Sequence, residues 1–228
     1  MTTDLVVVGA GGFGRETLDA VQAANAVPGG RSWRVLGVLD DAPSPANLSR
    51  LADREVPYLG RVGDWLDRRD SAHVVLAVGS PAARAMLASR FGAAGLTPAT
   101  VVHPRATLGS LVELGPGSVI CAGVQVSTNV RLGSYVHLNP GAVIGHDTVL
   151  EDFVSVNPGA VVSGECRIGA RALIGAGSVV LQRLSVGAAS TVGAAACVTR
   201  PVDAGVVVIG VPARVSQLPA AYQPRVTT

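Results

Sequence analysis

The chain contains no lysine. All 18 of its basic residues are arginines, set against 16 acidic residues for a net charge of +2. Coding bias accounts for that absence better than function does. The charges are dispersed and form no basic run, so no nucleic-acid surface is indicated. Aromatic residues make up only 4% of the chain while 48% is hydrophobic, so any core must be built from Val, Leu, Ile and Ala. Cysteine is scarce: Cys121, Cys166 and Cys197 are too few and too widely spaced for a disulfide framework, and a reducing cytoplasm is expected. No unbroken run of about 18 apolar residues occurs, so no membrane span is expected. The opening MTTDLVVVGAGG enters a strand without a basic n-region, which is unlike a signal peptide.

Glycine and proline are plentiful, at 28 and 14, and argue for many turns in a chain of 228 residues. Their spacing is regular. From Val102 an aliphatic residue falls on every sixth position through Leu108, Leu114, Ile120, Val126, Leu132, Leu138, Ile144, Leu150 and onward to Val198, 17 consecutive matches. Four residues after each comes a small or β-branched one, such as Ala142, Thr148, Val154, Ala160, Cys166 and Ala172. Neither a helix nor a simple strand has a period of six. A solenoid does: each hexad is a short strand plus a corner, and three hexads make one triangular coil. LNPGAV (138–143) and VNPGAV (156–161) are then one coil apart, with Asn139 over Asn157.

The first hundred residues alternate strand and helix and predict a small parallel α/β domain. Asp4–Val8, Trp33–Leu39 and His73–Val78 read as strands; Arg15–Ala26, Val62–Arg68 and Pro81–Ala94 read as helices. APSPANLS (42–49) reads as a proline-rich loop. The expected organisation is a Rossmann-like domain over 1–97, a β-helix over 98–214 and a polar tail over 215–228, disordered at its end.

GAGGFG (9–14) follows a strand and precedes a helix. Glycines let a backbone approach a phosphate closely, and a helix N-terminus offers N–H groups to an anion. The pattern fits the dinucleotide fingerprint GxGxxG formally. A full dinucleotide fold needs about six strands, more than roughly a hundred residues supply. The turn is therefore either a mononucleotide or nucleotide-sugar site built on Gly12, Phe13 and Gly14, or a tight turn with no ligand. Asp40 and Asp41 end the second strand, where they can reach ribose hydroxyls.

His146 stands two residues after the inward Ile144 and so lies on a corner, outside the core. It is either a solvated turn residue or a reagent. Asp147 beside it is the group that fixes an imidazole's tautomer and makes it a general base. His137 lies one coil below Ser155 and is placed to line the same face; His103 sits at the mouth of the first coil and His73 opens a strand. A catalytic zinc usually has three protein ligands, and only His137 and His146 are well placed, so no metal is expected. Cys121, Cys166 and Cys197 occupy packing positions rather than nucleophile positions.

GAGGFGRE near the N-terminus, LDD at 39–41, the hexads, IGHD at 144–147 and GVPAR at 210–214 together resemble the sialic-acid O-acetyltransferase type of hexapeptide-repeat acyltransferase, whose relatives N-acetylate nucleotide-linked amino sugars. The resemblance covers about residues 4–214. It implies a left-handed β-helix, a homotrimer with acetyl-CoA between adjacent β-helices, and a nucleotide sugar on the N-terminal domain. By the same resemblance His146 is the catalytic base and Asp147 tunes it. Asn139 lies near the acceptor amine, Gly164 offers a backbone N–H to CoA, and Pro212 belongs to the CoA-binding end. Ser155 stands where relatives have a CoA-contacting histidine, and Phe13 and Arg15 stand where amino-sugar relatives have His and Lys. The expected reaction is direct acetyl transfer to an amine through a tetrahedral intermediate. O-acetylation of a sugar or natural-product hydroxyl, and a non-catalytic trimeric scaffold, are the alternatives.

Overall fold

In the computed structural model, residues 2–29, 32–68 and 71–216 are described. The N-terminal region is a five-stranded parallel sheet ordered β3-β2-β1-β4-β5. Its elements run β1 (Thr2–Val8), α1 (Gly12–Asn25), β2 (Ser32–Leu39), α2 (Pro45–Ala52), β3 (Tyr58–Gly60), α3 (Val62–Asp67), β4 (His73–Leu76), α4 (Pro81–Ala93) and β5 (Thr97–Pro98). The apolar runs of β1 and β4 lie between helices and are buried on both sides. After β2 and β3 the chain returns to the other side of β1 for β4, so the sheet has a switch point between β1 and β4.

One expectation fails here. The segment 42–49 is not all loop, because α2 starts at Pro45. Ser44 caps it by accepting from the Asn47 N–H, and Pro45 at the first helical position lacks only an N–H that would have no partner there. The prolines mark a helix start rather than a break.

The two regions meet between Pro98 and Val101. Thr97–Pro98 still pairs with β4, and the Ala99 N–H donates to the Val74 carbonyl. Two residues on, the Val101 N–H donates to Ser118 in the β-helix. From there two-residue strands recur every six residues on three parallel faces. The first face carries Val101–Val102, Val119–Ile120, His137–Leu138, Ser155–Val156, Leu173–Ile174, Thr191–Val192 and Val207–Ile209. The second runs from Thr107–Leu108 through Val143–Ile144 to Cys197–Val198, and the third from Glu113–Leu114 through Val149–Leu150 to Ser185–Val186.

The hexad register is as read. From Ile120 to Val198 each inward aliphatic residue is 4% exposed or less. Val102, Leu108 and Leu114 are only partly buried because no coil lies beneath them. Leu138 pairs with Val156, which sets Asn139 over Asn157, and the two amides are hydrogen-bonded at 3.0 Å. At each corner the second turn residue takes a left-handed conformation, with φ between 55° and 75° from Leu111 to Ala195. Glycine fills that position at Gly123, Gly141, Gly159 and Gly177, on the edge joining the first face to the second. On the edge joining the second face to the third it does not: Leu111, Asn129, Asp147, Glu165 and Arg183 hold the strained position.

The N-terminal domain sits on the lower coils of the first face. α1 packs against Val101–Val102, and Arg84 at the start of α4 locks the contact. Arg84 is fully buried and donates to the carbonyls of Val78 (2.9 Å), Tyr135 (3.0 Å) and Phe153 (2.7 Å) and to Ser155 Oγ (3.0 Å). Among the described residues it faces no carboxylate, and burial pulls its pKa down to about 9. Tyr135 and Phe153 stack beside it, ring centroids 5.2 Å apart.

Candidate active site

Two places carry chemistry, and the fold separates them. One is the edge between the second and third faces, which lies opposite the face that bears the N-terminal domain. His146 projects there with its side chain half exposed. Its Nδ1 lies 2.7 Å from Oδ2 of Asp147, and the other Asp147 oxygen accepts from Asn129 Nδ2 at 2.5 Å. Those two hydrogen bonds, Asn129 first, hold the Asp147 carboxyl below its ordinary pKa. Beside an ionised Asp147, the neutral imidazole carries its proton on Nδ1 and keeps its lone pair on Nε2.

Gly164 lies one coil above, and the imidazole rests against it. A Cβ built on Gly164 would stand 2.6 Å from Nε2, 2.7 Å from Cε1 and 3.0 Å from Cδ2 of His146. The space a side chain would need is filled by the ring. Among the described residues nothing accepts from the Gly164 N–H, while its carbonyl takes the Arg183 N–H.

The second place is a cavity of about 590 Å³ at the C-terminal ends of β1, β2 and β4, over the switch point. Open α/β sheets bind ligands at that point. Gly11, Gly12, Phe13, Asp40, Asn47 and Arg90 are among its walls. Four helices begin around it. Ser44 caps α2, Ser80 caps α4, and Asp41 Oδ1 accepts from the Val62 N–H at the start of α3. Only α1 begins without a side-chain acceptor among the described residues. Its first-turn N–H groups open into the cavity and suit an anion. Gly14 plays a different part: a Cβ there would lie 1.8 Å from the Gly9 carbonyl, so it allows α1 to touch β1 and does not line the cavity.

Residues 4–91 match the PglD N-terminal domain, and residues 147–182 match the bacterial transferase hexapeptide, six repeats. No curated protein sequence matches the chain significantly. Among solved structures, the acetyltransferase domain of PglB from Neisseria gonorrhoeae is 29% identical with a TM-score of 0.82, over 94% of this chain and all of that one. PerB from Caulobacter crescentus, solved with CoA and GDP-perosamine, is 26% identical with a TM-score of 0.81, over 93% of this chain and 97% of that one. WeeI from Acinetobacter baumannii is 28% identical with a TM-score of 0.79, over 95% and 100%. The chain thus joins a PglD-type N-terminal domain to transferase hexapeptide repeats, and its fold over nearly its whole length is that of these acetyltransferases.

Several residues of this transferase sit where the pattern placed them and several do not. His146, Asp147 and Gly164 come together on one edge. Gly12, Phe13, Asp40 and Asp41 border the cavity. Both aspartates, however, are engaged by the chain itself. Asp40 accepts from the N–H groups of Ala10 and Ala42, and Asp41 caps α3 and stands 3.6 Å from Arg90. They shape the cavity before they reach any ribose. Ser155 is a correction: it is 2% exposed and held between Arg84 and the Gly79 carbonyl, under the N-terminal domain, so it lines no open groove. His137 is another. It is 1% exposed, its ring lies 4.7 Å from that of Phe13, and its Nε2 has no partner among the described residues. It belongs to the domain contact, not to an open face. Asn139 lies on the edge between the first and second faces, a different edge from that of His146. Pro212 is exposed at the C-terminal end of the β-helix, next to Cys197 in space and well above His146. The end of the expected tail, 217–228, lies outside the described residues.

Burial accounts for Cys121 and Cys166, while Cys197 is only partly buried. Burial raises the Cys121 thiol to about 12 and raises that of Cys166 as well. No cluster of potential metal ligands occurs among the described residues. No helix there is long and apolar enough to cross a membrane. Three residues escaped the sequence reading: Asn129, Arg84 and Arg90. Asn129 was reachable by arithmetic, since it lies 18 residues, one coil, before Asp147. Arg84 shares a helix face with Ala88 and Phe91, and an arginine on an apolar stripe signals a buried clamp.

Proposed function

We propose that this transferase moves an acetyl group from acetyl-CoA to the amine of a nucleotide-linked amino sugar, with His146 as general base. The observation that carries the reading is the His146–Asp147 pair at 2.7 Å on an exposed edge, its Nε2 available and its ring seated on Gly164. The solved relatives support the substrate classes: PglB was solved with acetyl coenzyme A and PerB with CoA and GDP-perosamine. The cavity over the switch point supports a nucleoside diphosphate, whose phosphates suit the uncapped start of α1 and the Arg90 guanidinium.

In this mechanism Nε2 of His146 takes the proton as the acceptor nitrogen attacks the thioester carbonyl. The tetrahedral oxyanion is held by backbone N–H groups, for which the unused Gly164 N–H is a donor. Collapse expels the CoA thiolate, which the imidazolium reprotonates. Asp147 orients the ring and stabilises its positive charge. Direct transfer needs no covalent intermediate on the protein, and burial removes Cys121 and Cys166 as nucleophiles.

The cavity and the His146 edge lie on opposite sides of one chain, so the proposed active site forms between copies. The second face supports such packing: Val143, Val161 and Val179 stack outward along it beside the His146 edge. A homotrimer brings one copy's edge to its neighbour's cavity. The cytoplasm suits acetyl-CoA and three free cysteines. The test is CoA release from acetyl-CoA with a panel of nucleotide amino sugars and free glycosides. Turnover only with hydroxyl acceptors would replace the amine by an alcohol, and absence of turnover together with absence of CoA binding by calorimetry would leave only a scaffold.

A further inference from the structure

Asp147 is half exposed, so something other than packing must aim its carboxylate at His146. One coil below, Asn129 occupies the equivalent corner position. Both residues have left-handed backbones, φ 60° and 58°, which set their side chains in one column about 4.8 Å apart. Asn129 Nδ2 donates to Asp147 Oδ1 at 2.5 Å, leaving Oδ2 for His146 Nδ1 at 2.7 Å. The amide orientation is forced, because its oxygen would face a carboxylate with no proton between them. Asn129 is itself tied down: its N–H donates to the Ser110 carbonyl, and the neighbouring Thr128 hydroxyl bonds Ser110 Oγ at 2.8 Å.

We infer that Asn129 is a positioning residue for the acetyl transfer, holding Asp147 so that His146 presents Nε2 as the lone-pair nitrogen. The inference rests on His146 being the base. An asparagine suits this place for two reasons. It tolerates a left-handed backbone better than most residues, and it offers a donor where a second carboxylate would repel Asp147. The other charged groups of this column, Glu165 and Arg183, lie one and two coils above Asp147 and satisfy each other at 3.1 Å. That pairing leaves Asp147 to Asn129 and His146. Among the causes that lower the Asp147 carboxyl, the Asn129 hydrogen bond is the largest.

The test uses the full chain and two readouts. Steady-state kinetics of Asn129→Ala should show kcat down roughly tenfold with both KM values nearly unchanged. Nitrogen-15 NMR of the imidazole in the substrate-free protein should show the Nδ1–H tautomer in the wild type and a mixture with Nε2–H in the variant. Added to Asp147→Asn, the Asn129 change should cost nothing further, because it acts through that carboxylate. If Asn129→Ala fails to fold, Asn129→Asp keeps the size and the left-handed corner and carries the same measurements, with a tautomer mixture again expected. A wild-type tautomer and rate in either variant, or a full independent loss on top of Asp147→Asn, would overturn the inference. If the wild type transfers no acetyl group to any acceptor, the functional reading fails while the tautomer measurement still decides the role of Asn129.

Discussion

Replacing Gly164 by alanine should disable this protein without unfolding it. The added Cβ would sit 2.6 Å from His146 Nε2 and 2.7 Å from Cε1. Ordinary contacts between such atoms begin near 3.5 Å, so the ring must retreat by about 1 Å. A half-exposed imidazole can do so by rotating into solvent, at little cost to folding. No positive φ is needed at Gly164, so alanine adds no backbone strain. A displacement of about 1 Å at a reacting group costs on the order of a hundredfold in rate, or about 2.7 kcal/mol of transition-state stabilisation. The expected result is kcat/KM for acetyl transfer down roughly a hundredfold, with Tm within about 2 °C of the wild type. CoA release followed with a thiol reagent and a thermal melt measure the two quantities. Wild-type turnover by Gly164→Ala would show that the ring's seat on Gly164 has no part in the reaction.

Other perturbations have equally definite outcomes. His146→Ala should lower turnover at least roughly a hundredfold with the circular dichroism spectrum unchanged, and near-normal turnover would remove His146 as the base. Arg84→Ala strips the donors from three part-buried carbonyls and opens a void between the domains, so a loss of about 3 kcal/mol in chemical denaturation is expected; a loss below about 1 kcal/mol would show that the domains are held by apolar contact alone. His137 is held neutral, its pKa depressed well below 6.5 by burial and by Arg84. Its contribution is therefore complete above about pH 6.5 and declines as pH falls below that, by at most about 1.4 kcal/mol per pH unit. Its surroundings include Ser155 and Phe13 and, among the described residues, no carboxylate partner. Denaturation from pH 8 to 5 should show this decline, and His137→Phe should flatten it; an unchanged slope would place the acid sensitivity elsewhere.

The β-helix was legible because its constraint is periodic. Each hexad puts one aliphatic residue inside, and the stacked strands repeat that demand every 18 residues, so local sequence and tertiary contact share one register. The same register puts Ile144 inside and His146 outside. Gly14 was legible as part of a glycine-rich turn, but its role was not. Whether a glycine faces a ligand or a neighbouring carbonyl depends on what lies within a few ångströms.

What the sequence alone determined is the solenoid, the α/β domain before it and the exposed corner that carries His146 and Asp147, since each follows from periodicity or from contacts between near neighbours. Tertiary structure decided what one domain does to the other. Ser155 and His137 have outward positions in the hexad and would face solvent on a bare β-helix, yet the N-terminal domain covers them. Arg84, a charged residue near a helix start, became the largest fully buried side chain among the described residues. Burial of this kind depends on docking between segments more than fifty residues apart, which no local pattern encodes.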